Sequence, residues 1–390
     1  MISPILKTTA SVKKKRVSIL TNKCVESTCK KPDETYLTFS PFFISLGLNL
    51  YLLKKLRSEN PLYERYMFNP IIKIITEFTE NYINDVKYNI YLPQSILMDL
   101  LIYIIAYPLM WIISRLNFRL LYVVSDLLYY LLYYIFSYRK RVVKENLKLA
   151  FPKMLHKDRL RIEKKYYRFL CDIFLESFKS MNISKKEINI RYNFKNLELL
   201  DELHKKNKNL ILMAGHYCSW EWVFNLNNNT NYQVNAIYKK LSNKYFDNWA
   251  KDIRSKYGCH MITTKDTFRE ILKHTKTKNL NLYGFASDQS PRKNKKNHWG
   301  MFLNNYVPIH TGAEIIAKKY NMAVAYMNVK RVKRGYYEIY FKTITEQPKK
   351  FKNFEITDKF IRLLENQIKE KPEYYTWTHR RFKHRKVKIN

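Results

Sequence analysis

The chain has 390 residues, enough for one large domain with additions or for two domains, and enough to bury a substantial core. Its 71 Lys and Arg against 33 Asp and Glu leave a formal charge of +38. That balance points to polyanionic partners: an anionic membrane, a phosphorylated lipid, nucleic acid or an acidic protein. Five cysteines (Cys24, Cys29, Cys171, Cys218, Cys259), an odd count with no C-x-x-C, argue against a disulfide framework or a zinc site and fit a reducing compartment.

Part of the lysine excess travels with abundant Asn, Ile and Tyr and reflects AT-rich coding. Residues 1–35 are basic and polar, with KKKR at 13–16, and read as a flexible arm with no secretory signal. An apolar run, FFISLGLNLYLL, follows and is short for a membrane span. Asn69 and Pro70 suit a helix start, and Ile71, Ile75, Phe78 and Tyr82 form one helical stripe. No chemistry is assignable to residues 1–92.

Residues 96–114, ILMDLLIYIIAYPLMWIIS, are close to the length that crosses a bilayer's apolar layer, and LLYVVSDLLYYLLYYIF (120–136) follows with YRKR at 138–141. The expectation is one segment embedded in the membrane and a second at its surface. Asp99, Pro108 and Asp126 keep open a pair of buried core helices. Residues 140–182 read as helical. Beyond 187 the pattern alternates. Strands are expected at 210–214, 234–238, 281–287, 323–329 and 336–344, and helices at 219–226, 242–256, 266–275, 312–320 and 357–370. That alternation predicts an α/β fold with a mainly parallel sheet flanked by helices, and sites at the carboxyl ends of strands. Six of the seven glycines lie beyond position 214, where tight turns can build such a site.

The stretch LILMAGHYCSWEW (210–222) carries the chemistry. A strand ends, Gly215 turns the chain, and His216 and Glu221 follow. Five residues apart on one helix, the two would diverge by about 140°, so the pair works only around a bend. Ser219 is the expected cap of the next helix. Glu221 is expected to accept the imidazole Nδ1–H, leaving Nε2 as a base. No G-x-S-x-G elbow is present, so the attacking group is a substrate hydroxyl, amine or water. Cys218 is a weaker candidate nucleophile, because side chains two apart diverge.

GHYCSWEW resembles the H-x4-[DE] motif of the lipid A biosynthesis acyltransferases, the lauroyl/myristoyl type. Four further segments are similar to that family in the same order: KRVVKENLKLAFP (140–152), SDQSP (287–291), HWGMFLNNYVPIHTGAEIIAKKY (298–320) and LLENQIKEKPEYYTWTHRRFK (363–383). Two positions depart from it: Cys218–Ser219 stand where Gly-Asn is usual, and Leu303–Asn304 where Phe-Gly is usual. The resemblance spans roughly residues 95–385. It implies a glycerolipid-acyltransferase-like fold with N-terminal membrane-associated helices. The expected parts are an extension of unknown role over 1–92, a membrane-associated segment over 93–137 and an acyltransferase domain over 138–386.

The implied reaction is acyl transfer from an acyl-carrier-protein thioester to a hydroxyl of a lipid A precursor. His216 would be the base and Glu221 its partner. No metal or cofactor is implied, and nucleic acid is not expected as a partner. The implied place is the inner (cytoplasmic) membrane, with the site facing the cytoplasm. Asp288, Gln289, Arg292, Trp299, Arg331, Arg380 and Arg381 are candidate substrate contacts, and Arg292 or Arg331 is a candidate oxyanion donor beside backbone amides. Arg292, Lys293, Lys295 and Lys296 form a basic loop suited to phosphate or to solvent. Arg380 and Arg381 suit a phosphate fork or a solvated tail. His298, His310 and His379 lack partners at metal spacing. Two other readings stay open: the same chemistry on another glycolipid or aminolipid, and a non-catalytic basic membrane-anchored binder.

Overall fold

A computed structural model describes residues 94–292 and 298–386. The expectations for residues 1–92, including the helix from Asn69, lie outside the described residues, as do Lys293, Lys295 and Lys296.

Two apolar helices come first, α1 (Gln94–Arg115) and α2 (Phe118–Tyr130), and α2 continues into a π-helical turn, Leu131–Ile135. Asn117 starts α2 by accepting from the Leu120 amide. Then come α3 (Lys140–Ala150), α4 (His156–Lys179), α5 (Lys185–Arg191), β1 (Tyr192–Phe194) and α6 (Glu198–Lys205). The second half runs β2 (Leu210–Ala214), a 3-10 helix (Glu221–Asn228), β3 (Gln233–Tyr238), α7 (Lys244–Ser255), β4 (His260–Thr263), α8 (Thr267–His274) and β5 (Asn281–Ala286). It ends with β6 (His298–Phe302), β7 (Asn305–Ile309), α9 (Gly312–Tyr320), β8 (Ala323–Lys333), β9 (Tyr336–Thr345), α10 (Glu355–Glu370) and a short 3-10 turn, Pro372–Tyr374.

Seven strands form one sheet in the order β1-β9-β8-β2-β5-β3-β4. β8, β2, β5, β3 and β4 run parallel, while β9 returns antiparallel to β8 and carries β1 beside it. The central strands have little alternation, because helices cover both faces: Leu210, Ile211, Leu212 and Met213 are all buried, as are Ala323 to Met327. The expected α/β architecture is therefore present. β1, β4 and the β6–β7 hairpin were not foreseen. β1 and β4 are too short for a periodic signal. The hairpin turns on Leu303 and Asn304, both with positive φ, the backbone of a two-residue hairpin loop. That accounts for the position where the family pattern has a glycine.

Gly335 turns the β8–β9 hairpin at φ +75°. Next to it Arg334 clamps Asp126 of α2 and Asp172 of α4, with contacts of 2.7 and 2.6 Å. Thus the hairpin is tied to α2 and to α4.

Candidate active site

β2 and β5 are adjacent and in register, with Ala214 opposite Ala286. The ladder continues one step further, since the Ser287 amide donates to the Ala214 carbonyl at 3.2 Å. His216 and Asp288 each lie two residues past that last pair, so their side chains meet. The imidazole Nδ1 lies 2.6 Å from Asp288 Oδ1. A carboxylate only accepts, so Nδ1 carries the proton and Nε2 keeps the lone pair that can accept one. Asp288 is buried, while the His216 side chain keeps 25 % of its surface exposed. The pair is therefore a dry carboxylate holding a reachable imidazole.

Burial resists charging of His216, but the Asp288 carboxylate outweighs that penalty, with Glu221 adding to it. The imidazole pKa rises above its ordinary value. Burial likewise resists ionisation of Asp288, yet the facing imidazole and its hydrogen bonds hold the carboxyl below its usual range. The phenol of Tyr375, fully buried, is pushed well up by burial first and by Asp288 next.

Glu221 is not the hydrogen-bond partner of Nδ1. No α-helix begins at Ser219. The chain enters a 3-10 helix whose flanking residue is Trp220, and Ser219 uses its carbonyl to accept from the Tyr192 hydroxyl at 3.0 Å rather than capping with its side chain. The tighter helix carries Glu221 toward α7, where Arg254 forks onto it at 2.7 and 3.2 Å. Asp288 takes the orienting position expected for Glu221, because sheet register brings two distant strand ends closer than five residues of turn can. Arg254 had no motif to announce it.

Cys218 adopts φ +59°, a left-handed backbone that glycine favours, and its thiol is fully buried. Burial pushes the thiol pKa far up, so it stays protonated and out of reach as a nucleophile. Gly215 has a packing reason: a Cβ there would sit 2.5 Å from Leu364 Cδ1 of α10.

The other expected contacts divide. Gln289 is half-buried beside Asp288, and Arg292 is exposed at the end of that loop. Trp299 lies on β6, 5.7 Å from the Tyr306 ring, with the Lys386 ammonium 4.3 Å above it. Arg331 is held by Asp172 at 2.7 Å and, with Arg334, Arg168 and Lys165, lines a separate cavity of about 540 Å³ between α2, α4 and β8. Its guanidinium is thus paired with Asp172 beside that cavity. The Cys218 amide, a candidate oxyanion donor, is taken by the Tyr374 carbonyl at 2.9 Å.

Arg380 is exposed, but Arg381 is buried, donates to the Pro308 carbonyl at 3.3 Å and stacks 4.9 Å over Phe302. Arg381 therefore does not present a fork at the surface. His298 bonds Asp358 at 2.8 Å. Among the described residues no three His, Cys, Asp or Glu side chains gather as a metal site.

The closing segment (374–381) crosses this site. Tyr375 bridges Tyr217, and both the amide and the hydroxyl of Thr376 donate to the His216 carbonyl, at 3.2 and 2.8 Å. Asn146 of α3 fixes that segment in turn, donating to the Trp377 and His379 carbonyls at 2.7 Å each.

The family model described as bacterial lipid A biosynthesis acyltransferase matches residues 93–384, about three-quarters of the chain. A comparison with curated proteins finds no match.

Proposed function

Because the chain belongs to the bacterial lipid A biosynthesis acyltransferase family, we propose that it moves a fatty acyl group from an acyl-carrier-protein thioester to a hydroxyl of a lipid A precursor, with His216 as general base. The observation that carries this reading is the 2.6 Å contact between His216 and buried Asp288 at the carboxyl ends of adjoining strands.

His216 Nε2 takes the hydroxyl proton as the oxygen attacks the thioester carbonyl. The Asp288 carboxylate stabilises the resulting imidazolium. The tetrahedral intermediate collapses with loss of the C–S bond, and the imidazolium returns its proton to the departing thiolate. Glu221 contributes at longer range, by its charge and by placing Arg254. Gln289 and Arg292, on the loop that follows Asp288, are the proposed substrate contacts. The chain's positive charge suits an acidic carrier protein and the phosphates of an acidic lipid.

We read the attachment as an in-plane embedding in one leaflet of the inner membrane, with the site on the cytoplasmic side. Both leading helices are long and apolar enough to cross a bilayer. Their contacts favour lying flat instead. On α1 the exposed Met98, Leu101, Ile102, Ile105, Leu109 and Ile112 fall within about 100° of arc. The opposite side is held at both ends. Asn243 donates to the Asp99 carbonyl at 2.9 Å, and Lys179 donates to the Ser114 and Leu116 carbonyls at 3.0 and 2.6 Å. On α2 a polar side faces α4, with Ser125 on Asp172 at 2.7 Å and Tyr133 on Glu163 at 3.0 Å, while Leu120, Val123, Leu127 and Tyr130 face out.

Replacing His216 by Ala in the full chain tests the catalytic reading. Mass spectrometry of lipid A from cells that depend on this chain should show the acyl chain missing while the protein stays on the membrane. A wild-type lipid A pattern would refute the assignment.

A further inference from the structure

The closing segment touches both loops that carry the reactive pair. On the His216 side the contacts are those of Thr376. On the Asp288 side they are made two residues downstream: the Ser290 amide donates to His379 Nε2 at 3.1 Å, and the Ser290 hydroxyl donates to the Arg381 carbonyl at 2.8 Å. The segment is itself held from outside the sheet. Asn146 grips two of its carbonyls, Arg139 donates to the Thr378 carbonyl at 3.1 Å, and the Tyr166 hydroxyl meets Thr378 Oγ1 at 2.9 Å. The two strand-end loops, already joined at His216 and Asp288, are therefore also spanned by one piece of chain that is anchored to α3 and α4.

We infer that His379 is a positioning residue for the reaction: its Nε2, by accepting from the Ser290 amide, fixes the loop that aims Asp288 at His216, while Thr376 fixes the facing loop. This rests on the reading of His216 as the base. The role needs an acceptor at the Nε2 position and a proton on Nδ1, which is the neutral imidazole. Burial, reinforced by Arg381 and Lys383 and opposed by Asp288, pushes the His379 pKa down to about 4, so at neutral pH the acceptor is present.

Small displacements at such a pair are costly, because the imidazole must be both aimed and charge-balanced as the proton moves. Loss of the tie would let Asp288 retreat from Nδ1. The charged groups that act on His216 are Asp288 on the loop after β5 and Glu221 on the 3-10 helix, while His379 on the closing segment is neutral and adds no charge. With Asp288 further away, the imidazole pKa falls.

The test compares His379→Gln with His379→Asn in the full, membrane-bound chain, with His216→Ala as control. The substrates are an acyl-carrier-protein thioester and a lipid A precursor. Gln places an amide oxygen near the Nε2 position and Asn places it a bond short. The Gln variant should keep kcat near wild type. The Asn variant should lose on the order of 10-fold to 100-fold in kcat with KM unchanged, and the acid limb of its pH profile should move to lower pH. Both variants matching wild type, or both falling equally, would overturn the inference while His216→Ala remains dead. An active His216→Ala variant would instead sink the reading beneath it, and the inference with it. Thr376→Val, nearly isosteric, covers the case in which the Asn variant melts. It should lower kcat with KM unchanged, and an unchanged kcat there counts against the positioning role.

Discussion

A carboxylate two residues beyond β5 governs an imidazole two residues beyond β2. On the proposed reading the neutral form of His216 acts as the base, and Asp288 raises the pKa at which that form appears. Activity should therefore rise with pH through a point above the ordinary histidine value. Asp288→Asn should lower kcat by about 10²-fold to 10⁴-fold and move the acid limb of kcat/KM to lower pH. Glu221→Gln should cost far less in rate. Its cost should appear as about 1 kcal/mol of stability, read by denaturant titration, because what it breaks is a mostly buried pair with Arg254 that still meets solvent. Cys218 offers a second comparison. Cys218→Ala should stay active, which discards the thiol as nucleophile. Cys218→Gly should be more stable than Cys218→Ala by about 1 kcal/mol, because only glycine adopts φ +59° without strain.

Among the elements, α10 seals the back of the turn between β2 and His216. Leu364 fills the space that a side chain at 215 would occupy. Gly215→Ala must displace either Leu364 or the turn, and the turn carries His216. The expected outcome is a loss of kcat of about 10-fold or more with KM little changed, because misplacement of a reacting group acts on the chemical step. Steady-state kinetics beside a melting curve will separate that from simple unfolding. The same crowding explains why a glycine precedes the histidine without any need for an unusual backbone angle there. Element existence was largely legible: the strands expected at 210–214, 234–238 and 336–344 are present within a residue or two, as is the helix at 312–320. Each shows a clear apolar run or a 3.6-residue stripe, the signals that survive without tertiary information. The helix expected to start at 219 came out as a 3-10 helix, since residues 216–219 are held to the closing segment and to Tyr192 instead of winding into an α-turn.

At the scale of the whole molecule, apolar exposure is concentrated in the leading helices. Of the 24 large hydrophobic side chains recorded as exposed among the described residues, 14 lie between Met98 and Tyr138, so the leading helices are where a bilayer would be met. In-plane attachment predicts that Asp99→Cys, Arg115→Cys and Ser137→Cys are all labelled from the same side of sealed vesicles by an impermeant thiol reagent. Cys24 and Cys29 are replaced by Ser in that background. A crossing helix would place neighbouring sites of this series on opposite sides, and such a result would rule the in-plane arrangement out. The expectation of one embedded and one surface helix rested on apolar length. The contacts of Asp99, Ser114 and Leu116 with the body bear on it as length cannot.

By itself the sequence determined what is written locally: the alternation that makes an α/β sheet, the apolar stretch of the leading helices, the glycine–histidine corner and the run of motifs that marks the family. It also placed Asp288 at a strand end. Which carboxylate faces the imidazole was decided only by tertiary structure. His216 and Asp288 are 72 residues apart, and they meet because β2 and β5 are neighbours in register, a pairing that neither segment encodes alone. Glu221 is close along the chain yet turned away, because helix type sets direction and the pull of Arg254 on α7 sets the partner. The closing segment likewise shows nothing in its composition of the loops it ties. Hydrogen bonds between distant backbones depend on where the strands and helices have already packed, and that is a property of the folded chain.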